Sequence, residues 1–208
     1  MKKLLNGTVK FRETSYEKNK ELFEKLDTGQ DPHTLFIGCS DSRVVPGLIT
    51  KTMPGELFVI RNIANIVPKY RVAEEYVSTT AAIEYAVNAL EVENIVICGH
   101  SNCGGCNALH ADPEKLEKLP NVAHWIEQIQ DVKNEVNFKH PNADPAKREW
   151  ITEQINIVQQ MQNLLSYPFI KERYEAGKIN IFGWYYIIGT GEVYNFNKET
   201  SEFELITE

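Results

Sequence analysis

Four cysteines and five histidines hold most of the chain's capacity to bind a soft metal, and they are unevenly placed. Cys98, Cys103 and Cys106 fall within nine residues with His100 between them, while Cys39 stands upstream and is followed by Asp41 and Arg43. Two thiolates and one imidazole suit zinc, and three protein ligands leave a fourth position for water, which marks a catalytic rather than a structural site. Cys39, His100 and Cys103 make such a set. Other readings use the same residues. Cys103-Gly104-Gly105-Cys106 has the spacing of a thiol–disulfide pair or a zinc sensor, and a structural four-ligand site would add Cys106. Cys98 reads as a small apolar residue pointing into a sheet. Asp41 and Arg43 form a local salt bridge, a carboxylate fixed by a forked guanidinium beside a metal, or both at once.

The elements that must position these groups follow from apolar runs and turn residues. Residues 34–38 are a short apolar run ending at Cys39-Ser40-Asp41-Ser42-Arg43, a buried strand followed by a polar loop. Residues 57–60 form a second run. Asn94–His100 is a third, giving way to a glycine-bearing turn at Gly104-Gly105. Leu22, Phe23 and Leu26 at helical spacing predict an amphipathic N-terminal helix over residues 16–27, stopped by Gly29. Residues 72–90 read as a long helix with Ala81, Ala82, Tyr85, Ala86 and Leu90 inward. Residues 122–175 are helical and charged, interrupted by Pro141 and Pro145. Residues 178–188, the turn Gly189-Thr190-Gly191 and residues 192–196 read as a terminal strand pair. The expected class is α/β: a mostly parallel central sheet flanked by helices, with an antiparallel C-terminal strand pair. Such sheets gather ligands beyond the carboxyl ends of their strands. Cys39 and the His100–Cys103 turn both fall there.

Composition bounds the rest. With 208 residues, 42% hydrophobic and 25% charged, the chain can bury one sizeable core, so a single domain with an N-terminal helical arm is expected over residues 1–208. A net charge of −7 argues against nucleic acid or an anionic membrane as the partner. The first residues carry two lysines but no apolar stretch that would make a signal peptide. No run approaches the roughly 20 apolar residues of a membrane span. The expected compartment is the cytoplasm, where cysteines are more often ligands than disulfides.

Taken together, Cys39-Ser-Asp41-Ser-Arg43 and His100-Ser-Asn-Cys103-Gly-Gly resemble the motifs of the bacterial β-class carbonic anhydrases. The resemblance extends through residues 54–65 (PGELFVIRNIAN) and residues 82–86 (AIEYA). It implies one zinc per chain on Cys39, His100 and Cys103, and reversible hydration of carbon dioxide to bicarbonate by attack of a zinc-bound hydroxide. It also implies a homodimer or homotetramer, because the family's cleft is built partly from the neighbouring subunit. Asp41 and Arg43 take catalytic roles: Arg43 holds the carboxylate, and Asp41 orients the nucleophile by accepting its proton. Gln30, Phe58 and Tyr85 match the family's cleft-lining residues, with Gly104 beside them, where the loop backbone passes near the metal.

Enzymes acting on carbon disulfide or carbonyl sulfide share the resemblance, so that alternative stays open. A shuttle histidine proposed in plant-type members falls on Ala89 here, which leaves His33, His110, His124 and His140 as unranked candidates. Some bacterial members bind bicarbonate in a second pocket of tryptophan, arginine and tyrosine. Arg61 and Tyr186 match two of these, but the tryptophan position is Phe36, which lacks the indole donor. The expectation is therefore an open site with Asp41 on its arginine and at most weak binding at Arg61 and Tyr186.

Overall fold

The computed structural model describes residues 1–71 and 77–207. Its centre is a six-stranded sheet in the order β2-β1-β3-β4-β5-β6. The strands are β1 (Thr34–Cys39), β2 (Leu57–Asn62), β3 (Asn94–His100), β4 (Asn180–Tyr186), β5 (Val193–Asn197) and β6 (Glu202–Leu205). β1, β2, β3 and β4 are parallel neighbours, and β5 and β6 complete the sheet antiparallel.

Burial explains why the central strands are legible as unbroken apolar runs. Every residue of β1, and all of β3 after Asn94, is buried, as expected for parallel strands covered on both faces. β6 has the opposite character. It is a short, charged edge strand in which only Phe203 turns inward, which is why alternation alone misses it.

Helices α1 (Lys2–Lys10), α2 (Lys20–Leu26) and α3 (Pro46–Thr50) precede β2, and α4 (Ser78–Asn88) leads into β3. The N-terminal helix starts well before residue 16: α1 runs into a π-helical turn over Phe11–Tyr16, and neither segment buries a residue. Of the helix expected over residues 72–90, Val72, Ala73, Glu74, Glu75 and Tyr76 lie outside the described residues. Within α4 the inward face is Thr79, Thr80, Ile83, Ala86 and Val87, while Tyr85 is 50% exposed and Ala81 also faces out. The inner stripe is thus rotated from the one expected, because Ile83 and Val87 outweigh the small alanines.

After β3 come α5 (Gly104–Ala108), α6 (Pro113–Leu116), α7 (Pro120–Ile126), α8 (Gln130–Lys139), α9 (Pro145–Leu164) and α10 (Pro168–Glu175). The expected interruption falls at residues 140–144, between α8 and α9, and Pro145 opens the second helix. Proline at the first helical position loses no hydrogen bond, and Asp144 caps the end by accepting from the Lys147 N–H at 2.9 Å. Among the described residues no helix is long and apolar enough to cross a membrane.

Most of the core falls into two packed regions. One joins Leu35, Ile37, Ile95 and Ile97 of the sheet to Ile83 and Val87 of α4 and to Ile157, Met161 and Leu164 of α9. Burying each such side chain contributes about 1.5–3 kcal/mol. The other lies at the carboxyl end of the sheet and packs Cys39, Cys103 and Cys106 with Ala64, Ile66, Ile126, Ile129 and Ile151. From β1 the chain steps outward to β2, then crosses back to β3 on β1's other side, so the strand order reverses between β1 and β3. That reversal opens a crevice at their carboxyl ends.

Gly105 governs how closely α5 approaches the turn after β2. A Cβ there would lie 2.8 Å from Ile63 Cγ2, 2.9 Å from Ala64 Cβ and 3.1 Å from the Ala64 backbone nitrogen, and Ala64 is already at φ 61°. A Cβ on Gly104 meets nothing within 4 Å. Gly105→Ala is therefore expected to lower stability by about 1–3 kcal/mol in urea unfolding. Gly104→Ala should change it by less than about 1 kcal/mol.

Candidate metal centre

β1 and β3 end level with each other, since Gly38 pairs with Cys98. Cys39 is one residue beyond that pair and His100 two, and the turn Ser101-Asn102 then brings Cys103 to the head of α5. The Cys39 and Cys103 sulfurs are 3.9 Å apart, and with a ring nitrogen of His100 the three ligand atoms all lie within 4.8 Å of one another. All three residues are buried. The spacing reading thus converges in space, and Cys106 lies outside the group of three.

Whether these residues suit zinc is a question about their own atoms. His100 Nδ1 sits 3.0 Å from the Ser101 carbonyl, which can only accept, so the ring proton belongs on Nδ1. That leaves Nε2 with a free lone pair, buried and without a hydrogen-bond partner. Contact with the Cys103 thiol, followed by burial, pushes the Cys39 thiol up to about 12. Contact with the Cys106 thiol, together with burial, also raises Cys103. Two thiols that resist ionisation and a lone pair with no donor make a poor arrangement on their own. A divalent cation corrects all three at once, because it stabilises thiolates and accepts the imidazole lone pair. The donor set fits zinc.

Beside this group, Asp41 is gripped by Arg43. The Arg43 backbone N–H and Nε donate to Asp41 Oδ1 at 2.9 and 2.8 Å, and Nη2 donates to Oδ2 at 2.7 Å. These hydrogen bonds hold the Asp41 carboxyl well below the usual carboxylate range. An ionised carboxylate can only accept. Asp41 Oδ2 lies 4.0 Å from His100 Nε2, so it borders the metal group while bound to its arginine.

Arg61, from β2, braces the same loop from the other side. Its Nε donates to the Cys39 carbonyl at 3.0 Å and its Nη2 to the Asp41 carbonyl at 2.6 Å. Tyr186 stands on β4, with β1 and β3 between it and Arg61's strand. Phe36 packs edge-on to Trp184 in that region, with ring centroids 6.3 Å apart.

The remaining expected residues are more dispersed. Gln30 is exposed in the segment between α2 and β1. Phe58 and Tyr85 contact each other, with ring centroids 5.9 Å apart. A cleft of about 940 Å³ opens next to Ser40 and Arg61 and is also lined by Asn62, Thr79, His124 and Trp125. Of the four histidine candidates, only His124 is among its lining residues. Cys98 is fully buried and its thiol is raised to about 12 by burial, in keeping with a small, unreactive core residue.

Sequence reading misses the polar face of α9. Glu153 accepts from the Cys103 backbone N–H at 2.7 Å and from the Tyr185 hydroxyl at 2.6 Å. Asn156 donates to the Ala64 carbonyl, and Gln160 and Asn163 take the Val67 N–H and C=O. The one signal for it is the run Glu153, Asn156, Gln160, Asn163 at helical spacing, interleaved with Ile157, Met161 and Leu164. Polar residues there cannot all face water, so they must face backbone.

Comparison with known proteins agrees with this geometry. A family model described as carbonic anhydrase matches residues 34–193. The carbonic anhydrase of Helicobacter pylori is 49% identical over 206 residues, covering 97% of this chain and 93% of the relative. Among solved structures, the β-carbonic anhydrase CcaA superposes with a TM-score of 0.95 at 38% identity, covering 100% of this chain and 92% of that one. One of two tetrameric β-carbonic anhydrases from Sordaria macrospora gives a TM-score of 0.79 at 32% identity, covering 93% and 95% of the two chains. With the converging thiols and imidazole, the strand order and these matches in view, the chain belongs to the carbonic anhydrase family, in its bacterial β class.

Proposed function

We propose that this chain hydrates carbon dioxide reversibly to bicarbonate and a proton, using one zinc ion held by Cys39, His100 and Cys103. The observation that carries the reading is the buried, partnerless Nε2 of His100 converging with two buried thiols. Zinc held by these three residues would supply Lewis acidity, tempered by the negative charge of the two thiolates.

The chain's own residues account for the rest. Asp41, ionised and fixed by Arg43, accepts the hydrogen bond of the attacking water and so aims a lone pair at the substrate carbon. Arg43 keeps the Asp41 carboxylate on itself rather than on the metal. Arg61 holds the Cys39 and Asp41 carbonyls, so the thiolate and the carboxylate share one rigid loop. Carbon dioxide is nearly apolar, which suits a site walled by Ala64 and Ile66.

Gln30, Phe58 and Tyr85 complete the cleft of a neighbouring copy in a homodimer or homotetramer. That reading is supported by the exposed Tyr85 ring lying against Phe58, by an arm that buries nothing on its own chain, and by the tetrameric assembly of the Sordaria relatives. Thiolate ligands also require a reducing compartment, which fits the cytoplasm.

Stopped-flow hydration with a pH indicator tests the activity, with zinc content measured in parallel. Cys39→Ser should lose zinc and turnover together, whereas Cys106→Ser should keep one zinc and near-wild-type turnover. Zinc-free Cys39→Ser with full activity would refute the assignment.

Arg43→Ala releases Asp41 and removes a donor to the Asn102 carbonyl, so turnover should fall by roughly 100-fold, the scale of a positioning loss at a reacting group. Turnover within twofold of wild type would contradict the role given to the pair.

Proton release checks the ligand chemistry directly. Both thiols of the metal-free chain are raised, Cys39 to about 12, so they are protonated at and above neutral pH. Binding must displace both protons, and affinity should therefore rise with pH through the neutral and mildly alkaline range. About two protons per zinc are expected near pH 8, which is roughly a hundredfold gain in affinity per pH unit. Calorimetry in two buffers of different ionisation heat measures this, and release of one proton or none would exclude the two-thiolate site.

A further inference from the structure

The peptide joining Asn102 to Cys103 has both of its polar atoms taken, from opposite sides. Its carbonyl accepts from Arg43 Nη2 at 3.0 Å, on the side where Arg43 also grips Asp41. Its N–H donates to Glu153 Oε1 at 2.7 Å, on the side facing the core. Asn102 is at φ 56°, a left-handed conformation that asparagine adopts more readily than other non-glycine residues and that turns the chain back here.

Glu153 is 2% exposed and sits within α9, and its second oxygen accepts from the Tyr185 hydroxyl of β4 at 2.6 Å. A carboxylate so deeply buried is tolerated only because donors meet it. A helix that merely needed to pack there would carry an apolar residue, as α9 does at Ile157 and Met161.

We infer that Glu153 is a positioning residue for the metal centre: it pins the Asn102–Cys103 peptide so that the Cys103 thiolate and the Arg43 guanidinium are set together. The inference rests on the reading that Cys39, His100 and Cys103 hold zinc. Glu153 touches neither substrate nor metal. It acts through Cys103, whose N–H it fixes, and through the carbonyl of the same peptide, which shares Arg43 with Asp41. Without an acceptor on the core side the peptide is free to rotate. Rotation would move the Cys103 sulfur and take an acceptor away from Arg43 in one motion.

The test uses the full chain loaded with zinc and reads three things: the rate of zinc release to a chromogenic chelator, the thiolate-to-metal absorption band after cobalt substitution, and kcat and KM for carbon dioxide. Glu153→Met fills similar volume but cannot accept. It should release zinc at least tenfold faster, shift the cobalt band, and lower kcat at least tenfold with KM within twofold. Glu153→Gln keeps an oxygen for the Cys103 N–H and should return all three readings to within threefold of wild type. Met161→Ala, a core truncation on the same helix, should lower the thermal midpoint without changing the zinc release rate.

If Glu153→Met does not fold, Tyr185→Phe carries the comparison. It removes the hydroxyl that holds the carboxylate's second oxygen, and should speed zinc release at least threefold. Wild-type release rates in Glu153→Met or Tyr185→Phe, or Met161→Ala matching the acceleration of Glu153→Met, would overturn the inference. So would failure of Glu153→Gln to rescue. A wild-type chain that takes up no zinc would overturn this inference together with the reading beneath it, and is distinguishable from failure of the clamp alone.

Discussion

Two thiols and an unprotonated imidazole nitrogen are packed together in the interior, and the nitrogen has no donor to meet it. In that setting the thiols resist ionisation and the nitrogen lone pair goes unused, an unfavourable grouping that a bound cation would relieve. Most of the local architecture can be understood as holding this unfavourable grouping in place. The reversal of strand order delivers Cys39 and His100 to one crevice. A left-handed asparagine turns the chain so that Cys103 faces back towards them. Gly105 lets the first turn of α5 lie against Ala64 without a clash. Each device is local, and all three serve the same convergence.

The two arginines divide the work of the loop after β1. Arg43 binds a side chain and Arg61 binds backbone. Because Arg61 gives its Nε and Nη2 to the carbonyls of Cys39 and Asp41, its guanidinium is already neutralising partial negative charge beside the metal group. An anion seeking that guanidinium would have to compete with two short hydrogen bonds. Arg61 and Tyr186 also stand on strands separated by two others, with the Phe36 ring in place of an indole donor. Arg61 thus braces the loop that carries Cys39 and Asp41.

How much of this is legible in sequence depends on whether the signal is local. Cys39, Asp41, Arg43, His100 and Cys103 are readable because each lies at or just beyond a strand whose apolar run is unbroken, so type and spacing mark them as candidates, and the resemblance of the two motifs singles them out from readings that use Cys106. β6 is not readable, since a charged edge strand with one inward residue looks like a loop. Pro145 marks a real break between α8 and α9, but only the Asp144 cap shows that it opens the second helix. The inward face of α4 is set by Ile83 and Val87 joining the main core against the sheet, a tertiary preference that the alanine spacing does not reveal. Glu153 is hidden for a different reason. A charged residue in a charged helix is unremarkable until the partner that explains it, a backbone N–H fifty residues away, is known.

The polar face of α9 has a mechanical meaning beyond its hydrogen bonds. Asn156 holds Ala64, Gln160 and Asn163 hold Val67, and Glu153 holds Cys103, so the segment after β2 and the turn after β3 are referred to one twenty-residue helix that acts as a rod. A small slide or tilt of that rod carries both loops in the same direction, and their separation is unchanged to first order. Disturbance from the far side of the sheet therefore reaches the two walls of the site as a common displacement, while the spacing between them, on which the chemistry depends, is insulated from it.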